Sequence, residues 1–100
     1  MQLARDVPKT SRHTLANKLD EHFLNMLSYI YLATYQSPAD KIVTLTRATT
    51  QLDLVKFFFS ITWESQIVPD NHYITLSTDL DEIGRMLGGW KKGLQTKNSR

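Results

Sequence analysis

Thr78-Asp79-Leu80-Asp81-Glu82-Ile83-Gly84-Arg85-Met86-Leu87-Gly88-Gly89-Trp90-Lys91-Lys92-Gly93 is the stretch on which the fold turns. Taken with the residues around it, apolar side chains fall at Tyr73, Leu76, Leu80, Ile83, Leu87, Trp90 and Leu94, in alternating steps of three and four. That spacing lays one apolar seam along a helix. Gly84 and Gly88 sit four apart on one flank of the seam, and Gly89 follows. A glycine in a helix interior costs about 1 kcal/mol relative to alanine. Close approach of a second backbone is the usual compensation, so Gly84, Gly88, Gly89 and Trp90 are expected at a helix-packing or subunit contact. Glycines four apart also mark membrane helix pairs, but Asp81, Glu82 and Arg85 in the same turns exclude lipid.

Outward from this helix, Pro8, Pro38 and Pro69 divide the chain into a short leader and three long segments. The first segment is expected to be helical from about Thr10 to Gln36, capped by Thr10 or Ser11, with Leu15, Leu19, Phe23, Met26, Ile30 and Ala33 facing inward. Ser37-Pro38-Ala39-Asp40 reads as a tight turn that opens the next helix, with Ser37 as cap and Pro38 in the first helical position. That second helix, about Pro38 to Ser65, carries two apolar stripes. Leu45, Ala48, Leu52, Val55, Phe59 and Trp63 form one; Val43, Leu54, Phe58 and Ile61 form another, roughly opposite. A helix apolar over more than half its circumference needs neighbours on two sides. The surplus points to a missing fourth helix or to a subunit interface, with Leu54 and Phe58 near it. The third helix is expected from Pro69 or Asp70 to Lys92, followed by a tail, 94–100, that frays. Three helices joined by short turns give an all-α, antiparallel up-down bundle.

One hundred residues make a single domain. The chain has no cysteine, so disulfides and thiolate metal sites are excluded and a reducing cytoplasm is expected. It has no run of 18 apolar residues and no signal-peptide core, so no membrane contact is expected. The net charge of +2 is unevenly spread: residues 1–18 hold four cations against Asp6 alone, and residues 91–100 hold four cations and no acid. The body between them is acidic. Basic ends on an acidic body point to a polyanion partner, or to solubilising tails.

No catalytic constellation emerges. His13, His22 and His72 form no metal-ligand spacing, and they read as surface or capping residues; no cofactor motif, nucleophile elbow or phosphate loop is present. No catalytic residue, metal or cofactor is therefore expected. The informative side chains are cations. Lys9 and Arg12 lie at the start of the first helix, where the dipole is already positive, so helix stability does not account for them and anion binding does. Lys18 continues that run. Arg85 and Lys92 point the same way on the third helix, on one face with Asp81 and Gly88. Arg85 either pairs with Asp81 or Glu82 at a value of a few tenths of a kcal/mol, or clamps a phosphate or carboxylate together with Lys92 and the adjacent Lys91. Arg47 falls on the second stripe of the middle helix, as a rim residue of a subunit contact would.

The run Asp81-Glu82-Ile83-Gly84-Arg85-Met86-Leu87-Gly88-Gly89-Trp90 resembles the C-terminal signature of the Avd-like family. Those are small four-helix-bundle proteins associated with diversity-generating retroelements and related to the ribosomal-RNA intervening-sequence proteins. Val7-Pro8-Lys9, with Arg12 and Leu15, resembles the family's hydrophobic-proline-basic approach to its second helix. The likeness spans about Val7 to Trp90. With only six residues ahead of Val7, the family's first helix is expected to be shortened or absent here. The resemblance implies a non-catalytic accessory protein, assembled as a homo-oligomer, a pentameric ring, with a basic surface. Its implied partners are a reverse transcriptase and RNA or cDNA, in mutagenic retrohoming. Lys9, Arg12 and Arg85 are the basic positions that match family motifs. The rival reading is a self-associating structural bundle with no nucleic-acid role, since fold does not fix function.

Overall fold

The computed structural model describes residues 9–98, with side chains over residues 12–96, as three helices: α1 (Lys9–Ala33), α2 (Pro38–Glu64) and α3 (Asp70–Asn98). The leader through Pro8 and the expected caps Thr10 and Ser11, as side chains, lie outside that range. α1 stops three residues short of the expected Gln36: Thr34, Tyr35 and Gln36 each donate their N–H three residues back, tightening the chain into the turn. The turn chemistry is as read from the sequence. Ser37 is the N-cap of α2, its hydroxyl accepts from the Asp40 N–H at 3.4 Å, and Pro38 occupies the first helical position.

The α2–α3 turn is built differently. Gln66 has φ of 62°, the left-handed region, and is the sole non-glycine there among the described residues. The N–H of Gln66 donates to the Trp63 carbonyl and that of Ile67 to the Thr62 carbonyl, which is the Schellman arrangement closing a helix C-terminus. The position ordinarily belongs to glycine, because a side chain there crowds the following carbonyl at a cost of about 1–2 kcal/mol. Beyond the turn, the Trp63 indole Nε1–H donates to Asp70 Oδ1 at 2.7 Å and its ring stacks on Tyr73 with centroids 4.7 Å apart. Trp63, expected at the end of the inward stripe, is therefore an exposed clasp over the turn instead of a core residue.

α2 is the central element. The buried cluster takes Leu45, Ala48, Leu52, Val55 and Phe59 from it, Met26 and Ala33 from α1, and Leu80 and Leu87 from α3. On one flank, His22 donates Nδ1–H to Gln51 Oε1 at 2.7 Å and stacks on Phe58 with ring centroids 5.5 Å apart. On the other, Lys56 pairs with Asp81 at 2.9 Å, and Phe59 and Trp63 both lie against Tyr73. Partners on α3 thus step back from Asp81 to Asp70 as α2 advances from Lys56 to Trp63. Among the described residues no Cα of α1 comes within 8 Å of one on α3. The two outer helices dock on α2 and leave a groove between them, over Val55 and Phe59. Leu54 and Phe58, one residue earlier, are half-buried and do not line it. The seam of α3 is consequently only part core: Leu80 and Leu87 are buried, Leu76 is exposed, and the remainder are half-buried.

A Cβ on Gly84 would meet Leu52 Cδ2 at 3.3 Å, so this glycine does permit close approach to α2. Gly88 and Gly89 do not: nothing lies within 4 Å of a Cβ at either, because one turn further along that flank of α3 faces open space. The segment expected to fray is helical as far as Asn98, held by Leu94 packed against the core and by the Thr96 hydroxyl donating to the Lys92 carbonyl at 3.0 Å.

These environments separate the glycines by experiment. Gly88→Ala is expected to stabilise the protein by up to about 1 kcal/mol through helix propensity. Gly84→Leu is expected to lose about 1–3 kcal/mol by overpacking against Leu52. Gln66→Gly is expected to gain about 1 kcal/mol by relieving the left-handed strain. Urea unfolding of the three variants against the parent measures all of these, and a loss for Gly88→Ala contradicts the open environment of that residue.

Candidate nucleic-acid interface

The cations divide into those engaged within the protein and those left over. Lys18 is paired to Glu21 at 3.1 Å on the surface of α1. Lys56 is half-buried and spans to Asp81 on α3. Arg85 pairs with Glu82, three residues back, at 2.5 Å. The hydrogen bond to Glu82, then its charge, and to a lesser degree that of Asp81, raise the Arg85 pKa above its usual value. Of the two readings for Arg85, the local pair is the geometry present, and Asp81 is turned to α2. The face of Asp81, Arg85, Gly88 and Lys92 is thus partly self-neutralised, and Arg85 would have to leave Glu82 to grip a phosphate.

Arg12, Arg47 and Lys92 are exposed, Lys91 is half-buried, and none of the four has an ion pair among the described residues. The Lys9 side chain lies outside the described part. These free cations do not form one patch. Leu19 of α1 shares a cavity with Leu76 and Asp79 of α3, and Ile30 shares another with Trp90. Residues near 12 on α1 and near 91 on α3 therefore lie at opposite ends of the bundle. At 1.5 Å per residue they are separated by roughly 30 Å along the axis. That is several times the screening length of about 8 Å at physiological salt. The basic ends read in the sequence act as two separate surfaces on one chain. Arg47 is exposed on α2.

Three features went unread in the sequence. His22 is not a surface residue; it is half-buried in the α1–α2 packing against Gln51 and Phe58. Lys56 of α2 crosses to Asp81 of α3. Asp20 and Asp79 stand on facing walls of the groove. Their signal was a pair of acids flanking the apolar seams, legible only once α1 and α3 are known to face each other. No three metal-ligating side chains come together among the described residues, and no described helix is long and apolar enough to cross a membrane.

The Lys56–Asp81 pair is the one interhelical salt bridge among the described residues, and its side chains are 36% and 59% exposed. Water screens it, so it is expected to contribute less than about 1 kcal/mol. A double-mutant cycle of Lys56→Ala and Asp81→Ala by chemical denaturation should return a coupling below that value which shrinks further in high salt. A larger, salt-insensitive coupling would mean the pair anchors α3.

A family model described as bAvd-like matches residues 1–94 of the chain. Comparison with the curated proteins and with the solved structures returns no match.

Proposed function

The chain belongs to the bAvd-like family, and from that premise we propose that it is a non-catalytic accessory protein of a diversity-generating retroelement. It works in the cytoplasm, as a homo-oligomer built as a pentameric ring. Each subunit contributes helices of an antiparallel four-helix-bundle architecture, and the assembly binds the reverse transcriptase and RNA or cDNA during retrohoming. The observation that carries the nucleic-acid part is the sorting of the cations. Lys18, Lys56 and Arg85 are spent on local carboxylates, whereas Arg12, Lys91 and Lys92 at the two ends are not. Unpaired surface cations attract phosphate without reading sequence. A ring repeats each end several times, and the repetition raises a weak single-subunit attraction by effective concentration.

A second reading, a self-associating bundle without nucleic acid, draws support from the apolar side chains left on the outer faces, among them Val43 at 54% and Phe57 at 52% exposure. The two readings differ in salt dependence. Accessory function predicts binding of RNA and DNA of unrelated sequence at low salt, with log affinity falling by about 0.7–0.9 per phosphate contact for each unit of log salt. Lys91→Glu with Lys92→Glu, and separately Lys9→Glu with Arg12→Glu, should each weaken binding to all sequences alike and flatten that slope. Filter binding at two salt concentrations, with the parent and both double variants, decides the matter. Absence of binding by the parent at low salt, or unchanged binding by both variants, leaves self-association as the function.

A further inference from the structure

The two turns of the chain are made from different residues. Ser37 caps α2 and Pro38 begins it in helical conformation. Ser65-Gln66-Ile67-Val68-Pro69, which joins α2 to α3, has none of the glycine, asparagine or aspartate that reverse turns select. Ile67 and Val68 are β-branched and favour extended backbone. Pro69 fixes its own φ and disfavours helical geometry at Val68. Folding this segment back on itself places Gln66 at φ of 62°, where a side chain is strained. Local preference and the observed turn therefore oppose each other, and the segment favours an extended course once released.

What holds the turn closed lies on the helices beyond it. Trp63 meets Asp70 and Tyr73, Phe59 meets Tyr73, Lys56 pairs with Asp81, and Leu52 lies against Gly84. Each of these joins a residue of α2 to one of α3. Among the described residues no Cα of α1 comes within 8 Å of α3, so α2 is the close backbone neighbour of that helix. The same contacts form whether α3 belongs to the chain that supplies α2 or to a second copy. The turn alone distinguishes the two arrangements, and its strain is present only in the closed one. Opposing exchange is the tether of α3 to its own α2, equivalent to an effective concentration in roughly the millimolar range. A short connection under strain lowers that threshold.

We propose that the segment 65–69 is a hinge through which two copies of this chain exchange α3, each laying it on α2 of the other. The exchange does not involve the cations at the ends of the bundle, so it is independent of whether nucleic acid binds there. It also differs from assembly through the exposed apolar faces, which leaves every α3 on its own α2.

The absence of native cysteine makes the test direct. Lys56 and Asp81 meet across α2 and α3 at 2.9 Å, at positions exposed enough to replace. A Lys56→Cys chain and an Asp81→Cys chain are unfolded together in urea, refolded at high concentration and treated with a short bis-maleimide. Exchange places position 56 of one chain beside position 81 of the other. The mixture should therefore give a covalent dimer on a denaturing gel that neither variant gives alone. Adding Gln66→Gly to both chains should lower its yield at least about tenfold, because relief of the left-handed strain favours the closed form twice per dimer. Gln66→Val, β-branched where φ is positive, should raise it. A mixture that yields no more covalent dimer than the separate variants overturns the proposal, as does a yield indifferent to Gln66→Gly. Sedimentation that shows a homo-oligomer alongside either of those results leaves the assembly proposed above standing, built from unexchanged subunits.

Discussion

Everything in this bundle depends on α2 being apolar on two flanks. Gln51 and Phe58 take up His22 and Asn25 on one side, and Leu52, Lys56 and Phe59 take up Gly84, Asp81 and Tyr73 on the other. Among the described residues no Cα of one outer helix comes within 8 Å of a Cα of the other. Met26, Leu45 and Leu52 are fully buried at the places where those docks meet. Truncating a side chain of that kind to alanine costs about 2–5 kcal/mol, a large fraction of the stability of a small domain.

Much of this arrangement was legible in the sequence, and the particulars show why. Helix periodicity, the Ser37-Pro38 cap and the inward stripe of α2 are local properties, and the structure follows them. The two-sided apolar character of α2 was legible too, but its meaning was not. It answers first to the chain's own α1 and α3, and the apolar surface left without cover lies on all three helices, Val43 and Phe57 of α2 included. Periodicity reports that a face wants burial and is silent on which neighbour supplies it. The same limit explains the glycines: Gly84 and Gly88 are equivalent by spacing, and only the path of α2 makes one a contact and the other open. The left-handed Gln66 had no signal at all, since the position departs from the residue that turn ordinarily selects.

For the charges, the sequence located the cations and the structure sorted them. Spacing alone left Arg85 divided between a local pair and a ligand clamp, and the Glu82 contact gives it a partner at rest. The segregation of basic residues to the chain ends became a segregation in space, with Arg12 and Lys91 at opposite poles of the bundle. A polyanion that engages both must follow the long axis or meet different subunits. Membership in the bAvd-like family is carried by the match over residues 1–94.

The pattern of docking also has a kinetic side. Among the described residues the close backbone approaches between helices all join neighbours in the chain, α1 with α2 and α2 with α3. Each hairpin can form by closing one short turn, and the entropy of loop closure is paid in two small instalments. Such low contact order places the domain among fast folders, on the microsecond-to-millisecond scale. It also makes the molecule resemble a short linear array, in which an outer helix can undock while the remaining pair stays formed.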